Sequence, residues 1–350
     1  MRLIQHSKPA FSKKESILFK PIFESSQIAL GEIAGDFEKK LAGYIGTAGA
    51  VSTNSGISAL HLGLLALGIK ENDQVILPSY VCASVLNAID YTGAKPVLAD
   101  IDYETFNISV KDTKRKLTKS TRAIIIPHMF GLACDIEEFL KLGVPVIEDC
   151  AQSLGARYKN RLTGSFGHLS VFSFYATKMI TTGYGGMVAS NSRKILDKIR
   201  DLNGPDKKKD YKVRYSYKMS DLEAALGISQ LERVDYFIKE RKEIANAYNS
   251  ALSCYDVILP DDKNDTNRIF YRYVIKSKKA AVIRRHFRKN GIEDISPVFK
   301  PLHRYLNMDY RDFLNTERVY RDAVSLPIYP ALKNTEFLKI INVLKKSINI

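Results

Sequence analysis

Short, continuously apolar runs alternate with helix-like segments through the first two-thirds of the chain. Gln74–Leu77, Lys95–Ala99, Ala123–Pro127 and Pro145–Ile147 have the composition of parallel strands covered on both faces. Between them lie Ser58–Gly68, Ala83–Gly93 and Asp135–Gly143, each suited to a helix and each closing on glycine. The alternation predicts βαβ units and a mainly parallel sheet. Ser170–Phe174 and Gly186–Ser190 add two strands around a Gly-rich turn, and a long amphipathic helix is expected over Asp221–Leu252. After Pro260 the order changes to strand (Arg268–Ile275), helix (Ala280–Asn290) and terminal helices. The expected architecture is α/β, with a large mainly parallel-sheet domain over 1–245 and a smaller α+β domain over 246–350.

Composition narrows the setting. A chain of 350 residues has room for both domains. Cys82, Cys134, Cys150 and Cys254 form no CxxC pair, which argues against a disulfide framework or zinc ribbon and fits a reducing cytoplasm. Met1–Glu15 is polar and broken by Pro9, without the apolar core of a signal peptide. No stretch approaches the roughly 20 apolar residues of a membrane helix, so a cytoplasmic protein with no membrane partner is expected. The net charge of +15 fits either an anionic partner or a lysine surplus on solvated faces. The lysines are scattered, Lys207, Lys208 and Lys209 in the loop Gly204–Tyr211 included, and no aromatic-interleaved basic motif points to nucleic acid.

Three stretches carry candidate chemistry. In Asn54–Leu60, Gly56 and small hydroxyl residues sit where a strand gives way to a helix. Free N–H groups there would form an anion site, though a helix cap explains the residues as well. In Val146–Gln152, acidic Asp149 lies just past the carboxyl end of an apolar strand, where ligands of open α/β sheets bind; a cap is again the alternative. In Phe172–Lys178, followed by Thr181–Gly186, a lysine lies among aromatic residues beside a Gly-rich turn. That setting suits a desolvated, reactive amine, although a lone lysine is more often a surface residue.

The order and spacing of these stretches closely resemble the DegT/DnrJ/EryC1/StrS family of sugar aminotransferases. The matching elements are Ser55-Gly56, His128–Gly131 (HxxG), Glu148–Gln152 (EDxAQ), Ser173–Lys178 (SFxxxK) and Gly185-Gly186. The likeness continues through Met219-Ser220-Asp221 and Ala224-Ala225 to Pro301-Leu302-His303 and Leu326-Pro327, covering about residues 26 to 330. It implies a fold type I enzyme dependent on pyridoxal 5'-phosphate. By that resemblance Lys178 would carry the cofactor, Asp149 would pair with its ring nitrogen, and Gln152 would bond its 3-hydroxyl. Gly56, the Ile57 N–H and the Ser173 hydroxyl would hold its phosphate. A carboxylate beside the ring nitrogen keeps it protonated and electron-accepting, and a released Lys178 amine would move the proton.

The departures are informative. Ile57 stands where the family has threonine, and offers no hydroxyl to the phosphate. Cys82 takes the place of an aromatic that stacks on the cofactor ring, with Tyr80 a weaker substitute. Ser216-Tyr217-Lys218 replaces NYR, whose asparagine reaches the partner subunit's phosphate, and Tyr184 replaces the acidic residue of the GEGG turn. Ser216 is thus a cofactor candidate, and Lys218, Tyr184 and His303 are substrate candidates. His61 reads as structural, and His128 either lines the pocket or caps a turn. No histidine pair has metal-ligand spacing, so no metal is expected. The resemblance implies a homodimer with shared active sites, moving an amino group from glutamate to a keto group of a nucleotide-linked sugar. Two rival classes are a keto-sugar dehydratase, whose relatives place histidine at the Lys178 position, and a non-catalytic protein that retains the fold.

Overall fold

A computed structural model describes residues 3–26, 28–29, 31–206, 208–261, 266–296 and 298–349; Met1 and Lys207 lie outside them. The strands are β1 (Gly49–Thr53), β2 (Gln74–Pro78), β3 (Lys95–Ala99), β4 (Thr121–Pro127), β5 (Val146–Asp149), β6 (Arg157–Tyr158), β7 (Arg161–Leu162), β8 (Leu169–Ser173), β9 (Gly186–Ser190), β10 (Thr266–Asn267), β11 (Tyr273–Lys276) and β12 (Ala323–Leu326). The helices of the first half are α1 (Lys13–Ser25), α2 (Glu32–Ile45), α3 (Gly56–Ala66), α4 (Ala83–Asp90), α5 (Val110–Lys116), α6 (Ile136–Leu140) and α7 (Arg193–Leu202). They are followed by α8 (Asp221–Leu231), α9 (Val234–Leu252), α10 (Ala280–Lys289), α11 (Leu302–Tyr305), α12 (Leu314–Asp322) and α13 (Asn334–Asn349).

The main sheet has the order β1-β9-β8-β5-β4-β2-β3. Its β8-β5-β4-β2-β3 part is parallel, and β9 runs antiparallel to both neighbours. The mainly parallel α/β sheet read from the apolar runs is therefore present. The carboxyl ends of β1, β2, β5 and β8 meet at one edge, together with the start of β9. Each expected helix stops short of its glycine, and Gly68, Gly93 and Gly143 all hold the left-handed conformation (φ 86°, 75° and 69°) that turns the chain after a helix.

Two expectations change. The helix expected over Asp221–Leu252 is broken at Arg233, whose φ and ψ of −110° and 4° separate α8 from α9. No glycine or proline marks this break. Its partners are one distant and one local: Arg233 donates to Glu15 Oε1 of α1 at 2.8 Å, and its guanidinium lies over the Phe237 ring of α9. The strand expected over Arg268–Ile275 is confined to Tyr273–Lys276, paired with β12. Upstream, Phe270 takes a φ of 49°, which no continuous strand accommodates.

Apolar side chains gather on both faces of the main sheet and again around β11, β12, α10 and α13. Helix α9 runs through the expected 245/246 boundary and joins two cores. Val234 and Phe237 pack with the large sheet, whereas Ala245, Tyr248 and Leu252 pack with the C-terminal part. Ile4 bridges to Ile292 and packs in that same C-terminal core, so the N-terminal segment lies with the smaller unit. Among the described residues, no helix is long and apolar enough to cross a membrane.

Candidate active site

At the carboxyl edge of the sheet a cavity of about 390 Å³ opens between α3, α4 and the β8–β9 connection. Ser55, in extended conformation, caps α3 by accepting the Ser58 N–H at 3.2 Å. Among the described residues, no acceptor takes the N–H of Gly56 or Ile57, which both line the cavity. A Cβ on Gly56 would fall 2.8 Å from Ser173 Cβ, so only glycine lets this helix end approach the end of β8 so closely. The helix N-terminus and the Ser173 side chain thus form a cradle of the size and polarity of a phosphate.

Lys178 stands in a closed turn between β8 and β9. Its N–H donates to Tyr175 O at 2.9 Å, Tyr175 bridges to Gly183, and Phe174 N–H donates to Gly185 O at 2.9 Å. On the other wall, Asp149 ends β5 and is buried, its Oδ1 accepting the Ala151 N–H at 3.0 Å. Burial raises the Asp149 carboxyl above the ordinary carboxylate range, while the Ala151 N–H and the Lys178 charge pull it back. A cationic ring nitrogen beside it would favour the charged form. Carboxylate, amine and anion cradle around one cavity are a donor set that fits pyridoxal phosphate.

The neighbouring Glu148 serves the framework. Fully buried, it accepts N–H bonds from Gly164 (2.8 Å), Phe166 (2.8 Å) and Gly167 (2.7 Å), and lies 3.1 Å from His128 Nε2. Because His128 Nδ1 accepts the Cys134 N–H at 3.0 Å, Nε2 carries the proton and donates to Glu148. Burial alone would raise the Glu148 carboxyl, yet His128 and these N–H groups bring it below its ordinary value. The group His128, Glu148 and Cys150 has metal-ligand chemistry, but both histidine nitrogens and both carboxylate oxygens are already committed to protein partners.

The chain matches the DegT/DnrJ/EryC1/StrS aminotransferase family over residues 10–345. It belongs to that family. It is 34% identical to the GDP-perosamine synthase of Escherichia coli O157:H7 over 97% of each chain. An uncharacterized protein of Methanocaldococcus jannaschii is 36% identical, covering 98% of this chain and 97% of its own. Among solved structures, DesV of S. venezuelae superposes with a TM-score of 0.91 at 26% identity, covering 96% and 94% of the two chains. The protein is accordingly an α/β aminotransferase of the pyridoxal-phosphate-dependent class.

Within this family member, the cavity gathers Gly56, Ile57, Cys82, Asp149, Ser173, Lys178 and Tyr184. Cys82 is exposed at the start of α4, and Tyr184 is exposed at the rim with its ring edge-on to Tyr175 at 5.4 Å. Tyr80 does not reach the cavity: it is fully buried against Phe106 and Phe299. Gln152 is buried behind the lining, its Oε1 accepting the Phe130 N–H at 3.2 Å and its Nε2 facing Met129 sulfur at 4.0 Å. His303 is a correction. It is fully buried, bonded to Ser79 Oγ (2.7 Å) and Glu317 Oε1 (2.8 Å), and stacked on Phe313, so both nitrogens serve packing and none faces substrate.

His61 lies in an aromatic cluster with Tyr91, Tyr215 and Tyr217. Ser216 is exposed and lines no part of this chain's own cavity. Lys218 lines a separate hollow behind β1, 3.9 Å from Asp206. Lys218 thus does not line this chain's own cavity. Sequence reasoning passed over Glu148, which adjoins Asp149 in the same motif. It also missed Tyr271, which lies beneath Lys178 and comes from a stretch with no motif at all.

Proposed function

We propose that this cavity holds pyridoxal 5'-phosphate on Lys178 and that the enzyme moves an amino group, from glutamate, to a keto group of a nucleotide-linked sugar. The observation that carries the reading is Asp149 and Lys178 facing one cavity whose end is the open cradle of Gly56, Ile57 and Ser173. When bound, pyridoxal phosphate supplies an aldehyde that accepts amino groups and a ring that draws electrons from the adjacent carbon. Gly56 and Ile57 N–H groups, with the Ser173 hydroxyl, would fix its phosphate, and Asp149 would keep its ring nitrogen protonated. Gln152, buried behind the lining, would have to turn its Nε2 from the Met129 sulfur to serve the ring hydroxyl. The Lys178 amine, once released, would carry the proton between donor carbon and cofactor carbon. Cys82 would cover the ring face with a thiol in place of an aromatic ring.

The relatives support a nucleotide-sugar substrate: one is named GDP-perosamine synthase and another dTDP-3-amino-3,6-dideoxy-alpha-D-galactopyranose transaminase. A spore coat polysaccharide biosynthesis protein of Bacillus subtilis, 34% identical, supports a product destined for surface polysaccharide. We infer a cytoplasmic homodimer in which Ser216 or Lys218 approaches the cofactor phosphate of the other chain.

The test is a pair of half-reactions. Glutamate alone should bleach the cofactor band, and a keto nucleotide-sugar should restore it with amino-sugar and stoichiometric 2-oxoglutarate. Borohydride should fix the cofactor onto Lys178, read by peptide mapping. Label on another lysine, or deoxy-sugar with ammonia release, would overturn the assignment; silence toward glutamate and every keto-sugar would leave the non-catalytic reading.

A further inference from the structure

Lys178 has a second side. In front of it lies the cavity of the candidate active site, and behind it lies a separate small space of about 10 Å³, the size of one water molecule. Besides Lys178, its walls include Thr181, Gln230 of α8, Arg241 of α9 and the N-terminal residues Pro9 and Ala10. Lys8, Pro9, Ala10 and Pro330 also line a larger hollow of about 390 Å³ that reaches the exposed rings of Phe11 and Tyr236. The N-terminal segment thus runs as a strap between the back of Lys178 and the surface.

The strap is fixed at both ends. Ile4 donates its N–H to Gly291 O and accepts the Glu293 N–H, both at 2.9 Å. His6, buried, donates its N–H to Glu293 Oε2 at 2.7 Å and pairs with Ser325 Oγ at 2.9 Å. At the other end Gln230 Nε2 donates to Ala10 O at 3.1 Å. Pro9, between these anchors, brings no N–H into the wall.

The polar groups around the small space are unevenly matched. Gln230 Nε2 is taken up by Ala10 O and by Glu15 Oε1 at 3.0 Å. Thr181 Oγ1 donates to Phe174 O at 3.2 Å and accepts the Gly183 N–H at 2.9 Å. Arg241 is buried, and its Nη1 donates to the carbonyls of Tyr271 (3.2 Å) and Ile328 (2.7 Å). Its Nε–H has no acceptor among the described residues. A buried N–H left without an acceptor is costly, and ordered water is the usual remedy. The Lys178 amine, on the same wall, is a donor whether or not it is charged. Two donors around a space of this size call for one small acceptor.

We propose that this space is a site for a single water molecule, held by Arg241 Nε–H and bonded to the Lys178 amine on the side away from the substrate cavity. Water accepts from two donors and keeps two protons of its own. It can therefore give one proton to the amine as it takes another from it, and nothing is consumed. The strap, with Ala10 against the space and Lys8 exposed, governs how readily that water exchanges with solvent. Only the consequence for the reaction rests on the aminotransferase reading; the site does not.

A crystal structure of the full-length cofactor-free protein, at a resolution that shows ordered water, tests the site directly. We expect one solvent peak within hydrogen-bonding distance of both Arg241 Nε and Lys178 Nζ. No peak there, or a bromide soak that puts an anomalous peak in its place, overturns the assignment to water. Ala10→Val adds two methyl groups against the space and should abolish the peak while the strap's hydrogen bonds remain. Should that variant not fold, the wild-type peak alone decides. In the loaded enzyme, glutamate deuterated at its α-carbon reports the exchange. Wild type should lose the deuterium to solvent through Lys178 and the water behind it, whereas Ala10→Val should carry more of it to the cofactor carbon. Equal retention in a variant that lacks the peak overturns the exchange role. If wild type shows no glutamate half-reaction at all, the aminotransferase reading fails instead, and the solvent peak still decides the site.

Discussion

Asp149 shows a conflict between what a site needs and what a fold prefers. Its carboxyl is buried at the end of β5 with one backbone N–H for company, and burial raises its pKa. A group whose folded-state pKa is raised contributes most below its unfolded value and costs stability as pH rises through the folded titration. In cofactor-free protein that loss should develop above about pH 4 and persist at neutral pH. Asp149→Asn removes the charge and keeps the size, so the cofactor-free variant should melt higher than wild type at neutral pH and no higher in acid. Its turnover should nevertheless fall by at least about 100-fold, roughly 3 kcal/mol of transition-state stabilisation. Calorimetry of the cofactor-free form and assay of the loaded form test the two halves separately. A variant both less stable and fully active would mean that the carboxylate is only a cap.

Among the elements, those legible in the sequence were the ones that close on their own local signals. Strands β2, β3, β4, β5 and β9 are apolar runs bounded by turn residues, and α4 and α10 begin where a periodic segment begins. The break between α8 and α9 was not legible, because no local residue forbids a helix at Arg233, whose long-range partner Glu15 lies more than two hundred residues upstream. Asp149 and Lys178, read from motif spacing, are brought by the fold to one cavity, whereas His303 misled because a motif residue can serve packing alone. The Met219-Ser220-Asp221 motif makes the same point more favourably. Ser220 and Glu223 form a reciprocal cap on α8, and Asp221 Oδ1 reaches across to accept the Gly31 and Ala34 N–H groups at 2.9 and 3.0 Å. One carboxylate therefore caps α2 from the start of α8. Asp221→Ala should cost about 1–2 kcal/mol, the upper part of the range for a lost cap, with cofactor chemistry unaltered at saturating cofactor. Urea unfolding followed by circular dichroism reads the loss. An unchanged midpoint would show that water replaces the carboxylate at no cost.

At the scale of the whole molecule the question is how many chains make an active site. The segment from Tyr211 to Lys218 carries no strand or helix, yet it presents Tyr211 (97% exposed) and Val213 (66% exposed) to solvent. Behind them Tyr215 and Tyr217 stack at 5.2 Å and close over His61, so the segment is anchored on its inner side and bare on its outer one. Exposed apolar side chains on a segment anchored in this way suit a surface for association. Ser216 is exposed and lines no part of its own chain's cavity, and the Gly56 and Ile57 N–H groups there have no acceptor among the described residues. These features favour the shared-site dimer proposed above. We expect light scattering to give a dimer, and turnover per chain to fall on dilution as the dimer dissociates. Replacing Tyr211 and Val213 together by aspartate should produce a folded monomer, because neither side chain packs inside the chain. That monomer should lose activity in parallel with assembly, whereas Ser216→Ala should leave assembly intact and weaken cofactor retention. A monomer with full turnover in dilute solution would show that each chain completes its own site, and the cavity of about 390 Å³ would then have to hold the phosphate with α3 and Ser173 alone.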